Sequence, residues 1–139
     1  MIILDTNIVS ALMRDRPERA VRDWLDRQPR PSVWTTSVSV MEIRFGLAIL
    51  ALGRQRSRLE REFENVVRED LEERILPFDK AAAESAAELM ADRQRSGRPA
   101  ELRDTMIAGV AIARHAVLAT RNTRHFADLP VTVVNPWVS

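Results

Sequence analysis

The chain has no cysteine, only two histidines (His115 and His125), and a single lysine, Lys80, among 21 Lys and Arg residues. The first absence excludes disulfides, zinc-thiolate centres and cysteine nucleophiles together, and two histidines are too few for a histidine-rich metal site. Any metal must be held mainly by oxygen. No apolar run approaches a membrane span, and no basic segment followed by a long apolar stretch opens the chain, so a cytoplasmic location without membrane contact is expected. An excess of one charge sign is also lacking. Against those 21 basic residues stand 20 Asp and Glu, and the net charge of +1 identifies no partner. The near-exclusive use of arginine suits bidentate phosphate contact, although a base-composition bias in the source explains it more simply.

What is present is the composition of an ordinary globular domain, 45% apolar and 29% charged, and 139 residues are enough for one domain, 1–139, with a proper core. Ile2, Ile3 and Leu4 form a continuous apolar run, the mark of a strand buried on both faces. Asp5 follows directly, and Thr6 or Asn7 is placed to cap a helix through Ile8, Val9, Ala11 and Leu12. A second helix is expected from Pro17 with Ala20, Val21, Trp24 and Leu25 on one face, ending in Gln28-Pro29-Arg30-Pro31. Val33-Trp34-Thr35 reads as a strand. Thr36, Ser37 or Ser39 can cap the next helix, which runs through Val38, Met41, Phe45, Leu47 and Ile49 with Glu42 near its start. The stretch 52–74 carries Leu59, Phe63, Val66, Val67 and Leu71 at helical spacing. Pairs such as Arg58 with Glu62 interleave the charges, so a solvated face is favoured over a basic nucleic-acid surface.

Ile75-Leu76-Pro77-Phe78 is a third apolar run, and Asp79 caps an alanine-rich helix ended by Gly97-Arg98-Pro99. A helix over 101–115 carries Asp104 near its beginning. Strands at Ala116-Val117-Leu118-Ala119-Thr120 and Val131-Thr132-Val133-Val134 complete the order. Alternating strands and helices predict an α/β fold with a mostly parallel central sheet of about five strands and helices on both faces. In such a sheet, ligands bind at the carboxyl edge of the strands. Asp5 stands at a strand end, and Glu42 and Asp104 lie near helix N-termini, so all three can converge there. Singly, each has a plainer reading: a cap or turn for Asp5, a salt bridge for Glu42, a helix-dipole partner for Asp104. Three such positions together favour a site. Clustered carboxylates repel one another unless a divalent cation sits among them, and hard oxygen ligands suit Mg²⁺ or Mn²⁺. Rival chemistries fit less well. An aspartyl-phosphate phosphatase wants a second Asp where Asn7 stands, a receiver domain wants a late lysine, and no glycine-rich phosphate loop follows the first strand.

Four segments carry a resemblance: Asp5-Thr6-Asn7, Met41-Glu42-Ile43-Arg44-Phe45-Gly46, Arg103-Asp104-Thr105-Met106-Ile107-Ala108, and Ala119-Thr120-Arg121-Asn122-Thr123-Arg124-His125-Phe126. In order and spacing they resemble the successive motifs of PIN-domain ribonucleases, and more closely the VapC-type toxins of type II toxin-antitoxin pairs, in the FitB-like branch. The resemblance extends to Asn135-Pro136-Trp137. It implies a Mg²⁺-dependent (or Mn²⁺-dependent) endoribonuclease that hydrolyses RNA phosphodiester bonds with a metal-activated water. Asp5, Glu42 and Asp104 would be both metal ligands and catalytic acids, in a homodimer silenced by a cognate antitoxin and touching DNA only through it.

One position departs from the family. Many members carry a fourth acid where this chain has Asn122, and some carry another where it has His125. Asn122 can still orient water or phosphate and is kept as a catalytic-site residue; His125 reads as a cap or surface residue. Relatives of this architecture occur in DNA-bound complexes with an antitoxin, so a weakly catalytic or non-catalytic regulatory partner is the alternative. Trp24, Leu25, Phe45 and Ile49 are expected to bury some of their surface against a second copy or an antitoxin helix.

Overall fold

A computed structural model describes residues 1–138 other than 15, 17 and 99. The helix start expected at Pro17 and the role of Pro99 lie outside the described residues. Five strands, β1 (Ile2–Leu4), β2 (Val33–Thr36), β3 (Ile75–Leu76), β4 (Val117–Ala119) and β5 (Val133–Val134), form one sheet in the order β3-β2-β1-β4-β5. All four pairings are parallel, with Leu4 opposite Ala119 and Thr36 opposite Leu76. Every strand therefore ends on the same edge. The central position of β1 explains its unbroken apolar character, because Leu4 packs into the core on one face and Ile3 into the core on the other.

The first core is covered by α1 (Thr6–Leu12), α2 (Arg19–Asp26), α3 (Ser37–Ala48) and α4 (Arg54–Asn65), through residues such as Ile8, Val21, Ile43 and Phe63. The second is covered by α5 (Lys80–Arg95) and α6 (Leu102–Arg114), through Ala82, Leu89, Ile107 and Val110. At the crossing of α5 and α6 only glycine fits. A Cβ on Gly109 would lie 2.5 Å from the Ala82 carbonyl oxygen and 2.8 Å from the Ala86 Cβ. No helix of the described residues is long and apolar enough to cross a membrane.

Two local expectations need correction. The first helix is capped by Asp5 itself, whose side chain accepts from the Thr6 amide, and not by Thr6 or Asn7. The helix expected over 52–74 ends at Asn65, continues as a wide π-type turn over Val66–Asp70, and is followed by Glu72 and Glu73 in the left-handed region (φ 49° and 62°). This turn fully buries Leu71 and returns the chain to pair β3 with β2, a tertiary demand that overrides helical spacing.

Candidate active site

The carboxyl edge of the sheet collects the predicted residues. Asp5 sits where β1 becomes α1, and its side chain is fixed from three sides while only 3% exposed. Oδ1 accepts from the Thr6 amide at 2.8 Å. Oδ2 accepts from the Thr120 hydroxyl at 2.7 Å and from the Asn7 amide nitrogen at 3.3 Å. Thr120 reaches Asp5 because β4 lies beside β1, and the Asp5 amide donates to the Ala119 carbonyl at 2.9 Å. Glu42 comes from the second turn of α3, which starts directly after β2 behind the Thr36 cap. Thr6 Oγ1 lies 2.9 Å from both Glu42 Oε1 and Ser39 Oγ. Its single proton goes to the carboxylate, and the Ser39 hydroxyl donates to it in turn. Asp104 lies in the first turn of α6, capped by Glu101, and its Oδ2 is 3.0 Å from His125 Nδ1.

Asp5, Glu42, Asp104 and Asn122 all line one open cavity of about 350 Å³. The electrostatics reflect this crowding. Burial pushes the Asp5 carboxyl up to about 6 from 3.8, against the hydrogen bonds from Thr120 and Thr6, and the charges of Asp104 and Glu42 push it further in the same direction. Glu42 is also raised, first by burial. Its Thr6 hydrogen bond and the Arg103 charge oppose the shift, while Asp104 and Glu101 add to it. Excess negative charge among hard oxygens is the donor chemistry that a divalent cation relieves. As the side chains stand, no three acids among the described residues form a group that could hold one ion.

The family model of the PIN domain matches residues 2–131. The chain belongs to the PIN domain family. This PIN domain is 39% identical over 137 residues to a VapC ribonuclease of Sinorhizobium fredii, with 99% of this chain and 98% of the relative covered. It is 34% identical to the toxin FitB of Neisseria gonorrhoeae, with 99% of each covered. Among solved structures, the complex FitAB bound to an IR36 DNA fragment contains a chain that matches with a TM-score of 0.88 and 33% identity, covering 100% of this chain and 97% of that one.

Other residues of the PIN domain site escaped the sequence reading. Arg14, Arg121 and Trp137 line the same cavity and are tied together by Glu18. Glu18 Oε1 is 2.7 Å from Arg14 Nη1 and 4.0 Å from Arg121 Nη1, and its Oε2 accepts from the Trp137 indole. The Arg121 guanidinium also stacks 4.8 Å over the Trp137 ring. Arg121 and Trp137 had a signal, in the segments 119–126 and 135–137; Arg14 and Glu18 are an i,i+4 pair with none, and their meeting with Trp137 spans more than a hundred residues of chain. His125 is exposed at the surface as expected, yet its ring is bonded to Asp104. Its turn is pinned by Arg93, which is 5% exposed. The Arg93 guanidinium holds both carboxylate oxygens of Asp128 (2.9 and 3.0 Å), the Thr105 hydroxyl (3.0 Å) and the His125 carbonyl (2.7 Å).

Proposed function

We propose that this PIN domain, taken as the whole chain 1–139 because Trp137 lines the cavity, is a Mg²⁺-dependent endoribonuclease and the toxin half of a toxin-antitoxin pair. The observation that carries the reading is the convergence of Asp5, Glu42 and Asp104, from three separate elements, on one cavity that raises the proton affinity of Asp5. The VapC ribonuclease and FitB relatives support it. Asp5, Glu42 and Asp104 would hold the ion, with Mn²⁺ as a substitute. When bound, such an ion supplies positive charge to the phosphodiester and lowers the pKa of water. Thr120, Thr6 and Asn7 keep Asp5 in one orientation, Thr6 does the same for Glu42, and His125 steadies Asp104. Asn122 is free to orient water or a phosphate oxygen, and Arg14 and Arg121 bring positive charge to the rim of the same cavity, where the substrate's backbone approaches. No nucleophilic side chain is needed.

The partners follow from the surface. Met41, Phe45 and Ile49 are exposed along α3 and its C-cap, with Leu52 just beyond, an apolar stripe that a second copy or an antitoxin would cover; DNA, which the FitAB complex holds, would be reached here only through the antitoxin. Trp24 and Leu25, by contrast, pack into the protein's own core. A second reading, a weakly catalytic regulatory partner, is favoured by one observation: among the described residues the acids, as their side chains stand, are not grouped closely enough to hold one ion. Incubating the purified protein with single-stranded RNA, with Mg²⁺ or with excess chelator, separates the two. Cleavage only with Mg²⁺ supports the nuclease; no cleavage, or undiminished cleavage in chelator, overturns it.

A further inference from the structure

On the far side of Asp104 lies a second cavity of about 390 Å³, with Asp104 as the wall it shares with the acidic site. Its acids are already engaged. Asp128 is held by Arg93, Glu101 by Arg103 at 2.9 Å, and Asp104 by His125. Its remaining cations, Arg98 and Arg124, are exposed and make no hydrogen bond or salt bridge through their side chains among the described residues. With Arg93 offsetting Asp128 and Arg103 offsetting Glu101, the two charges of Arg98 and Arg124 stand against the one of Asp104, so the charge left over at this cavity is positive, next to a site whose own charge is negative. We infer that Arg98 and Arg124 form a backbone subsite that grips the phosphodiester flanking the one to be cut. The inference rests on the ribonuclease reading and extends it, because a chain lying across both cavities must pass Asp104. Arg98 lies near enough to Asp128 for its charge to lower that carboxyl, but neither guanidinium is hydrogen-bonded among the described residues. Such groups match a phosphate's paired oxygens and carry no base information, so the subsite fixes register and not sequence. The Arg93 anchor beneath the 123–126 turn fixes the backbone that carries Arg124, so only the side chain is left to order at binding.

The test is steady-state cleavage of a single-stranded RNA oligonucleotide in Mg²⁺ by the unaltered protein, Arg98→Ala/Arg124→Ala, and Arg98→Lys/Arg124→Lys. Losing charge-assisted contacts to one phosphate should raise KM roughly 10- to 100-fold with kcat little changed, and the lysine pair should recover most of the loss. The slope of log(kcat/KM) against log salt should fall by about 0.7, the value for one phosphate on a single strand. On a dinucleotide, which has no flanking phosphate, the difference should shrink. Both side chains are exposed, so the variants' melting temperatures should match the parent's. Unchanged KM and salt slope in the alanine pair, with the parent active, overturn the subsite and leave the nuclease intact; a fall confined to kcat also overturns it. An inactive parent overturns the nuclease reading, and the subsite with it.

Discussion

Replacing Asp5 by asparagine should make the metal-free protein more stable above pH 7, although Asp5 is nearly buried and hydrogen-bonded from three sides. Its carboxyl is raised from 3.8 to about 6, roughly two units, and at about 1.4 kcal/mol per unit the charged form is disfavoured in the fold by about 3 kcal/mol. The sign follows from proton uptake. The unfolded chain releases the Asp5 proton near pH 4 and the folded chain only near 6, so stability falls as pH rises through that window and stays at its lower level above it. Asparagine carries no charge and can still accept from the Thr6 amide through its oxygen. It loses the bonds that Thr120 and Asn7 donate to the other carboxylate oxygen, worth about 2 kcal/mol together. The net gain is about 1 kcal/mol at pH 8, or roughly 3 °C in melting temperature for a chain of this size. Urea unfolding of both proteins in chelator, from pH 4.5 to 8, reads it directly. An Asp5→Asn protein no more stable than the parent at pH 8, or an advantage that does not shrink towards pH 4.5, would refute the reasoning.

Three further outcomes are expected. Gly109→Ala should destabilise the protein by about 1–3 kcal/mol in denaturant melts, because the new methyl meets the Ala82 backbone at 2.5 Å and α5 must shift away from α6. Arg93→Ala leaves Asp128 and the Thr105 hydroxyl without their shared partner; a loss of about 2–4 kcal/mol is expected, with a fall in RNA cleavage as the 123–126 turn loosens and His125 with it. Phe45→Glu should lower the mass seen by light scattering at micromolar concentration to that of a monomer, with the far-ultraviolet circular dichroism unchanged, because Phe45 is 59% exposed on the single chain; an unchanged mass would remove α3 from the interface.

The layer order and the three acids were legible because both are written in short stretches. An unbroken apolar run stopping at Asp5, and helix starts just before Glu42 and Asp104, place those residues on the sheet's carboxyl edge once the strands are parallel. Features that depend on distant pairs were not legible. Nothing near Arg93 announces Asp128 or the His125 carbonyl, and nothing near Glu18 announces Trp137. The turn after α4 was missed for a different reason. Its residues keep helical spacing, and the chain breaks helix at Glu72 and Glu73, which have no glycine's ease in the left-handed region, because Leu71 and β3 must reach the core.

The melting temperature as a function of Mg²⁺ concentration, for the parent and Asp104→Asn at constant ionic strength, asks whether the converging acids share one cation. No contaminating ribonuclease can mimic the answer. An ion bound by the native state alone stabilises it by roughly 2.7 kcal/mol at a hundred times its Kd. The parent should therefore show a saturable rise of several degrees, and Asp104→Asn a much smaller one because an oxygen ligand is missing. Equal rises in the two proteins, or none in the parent, would contradict a shared site built from Asp5, Glu42 and Asp104.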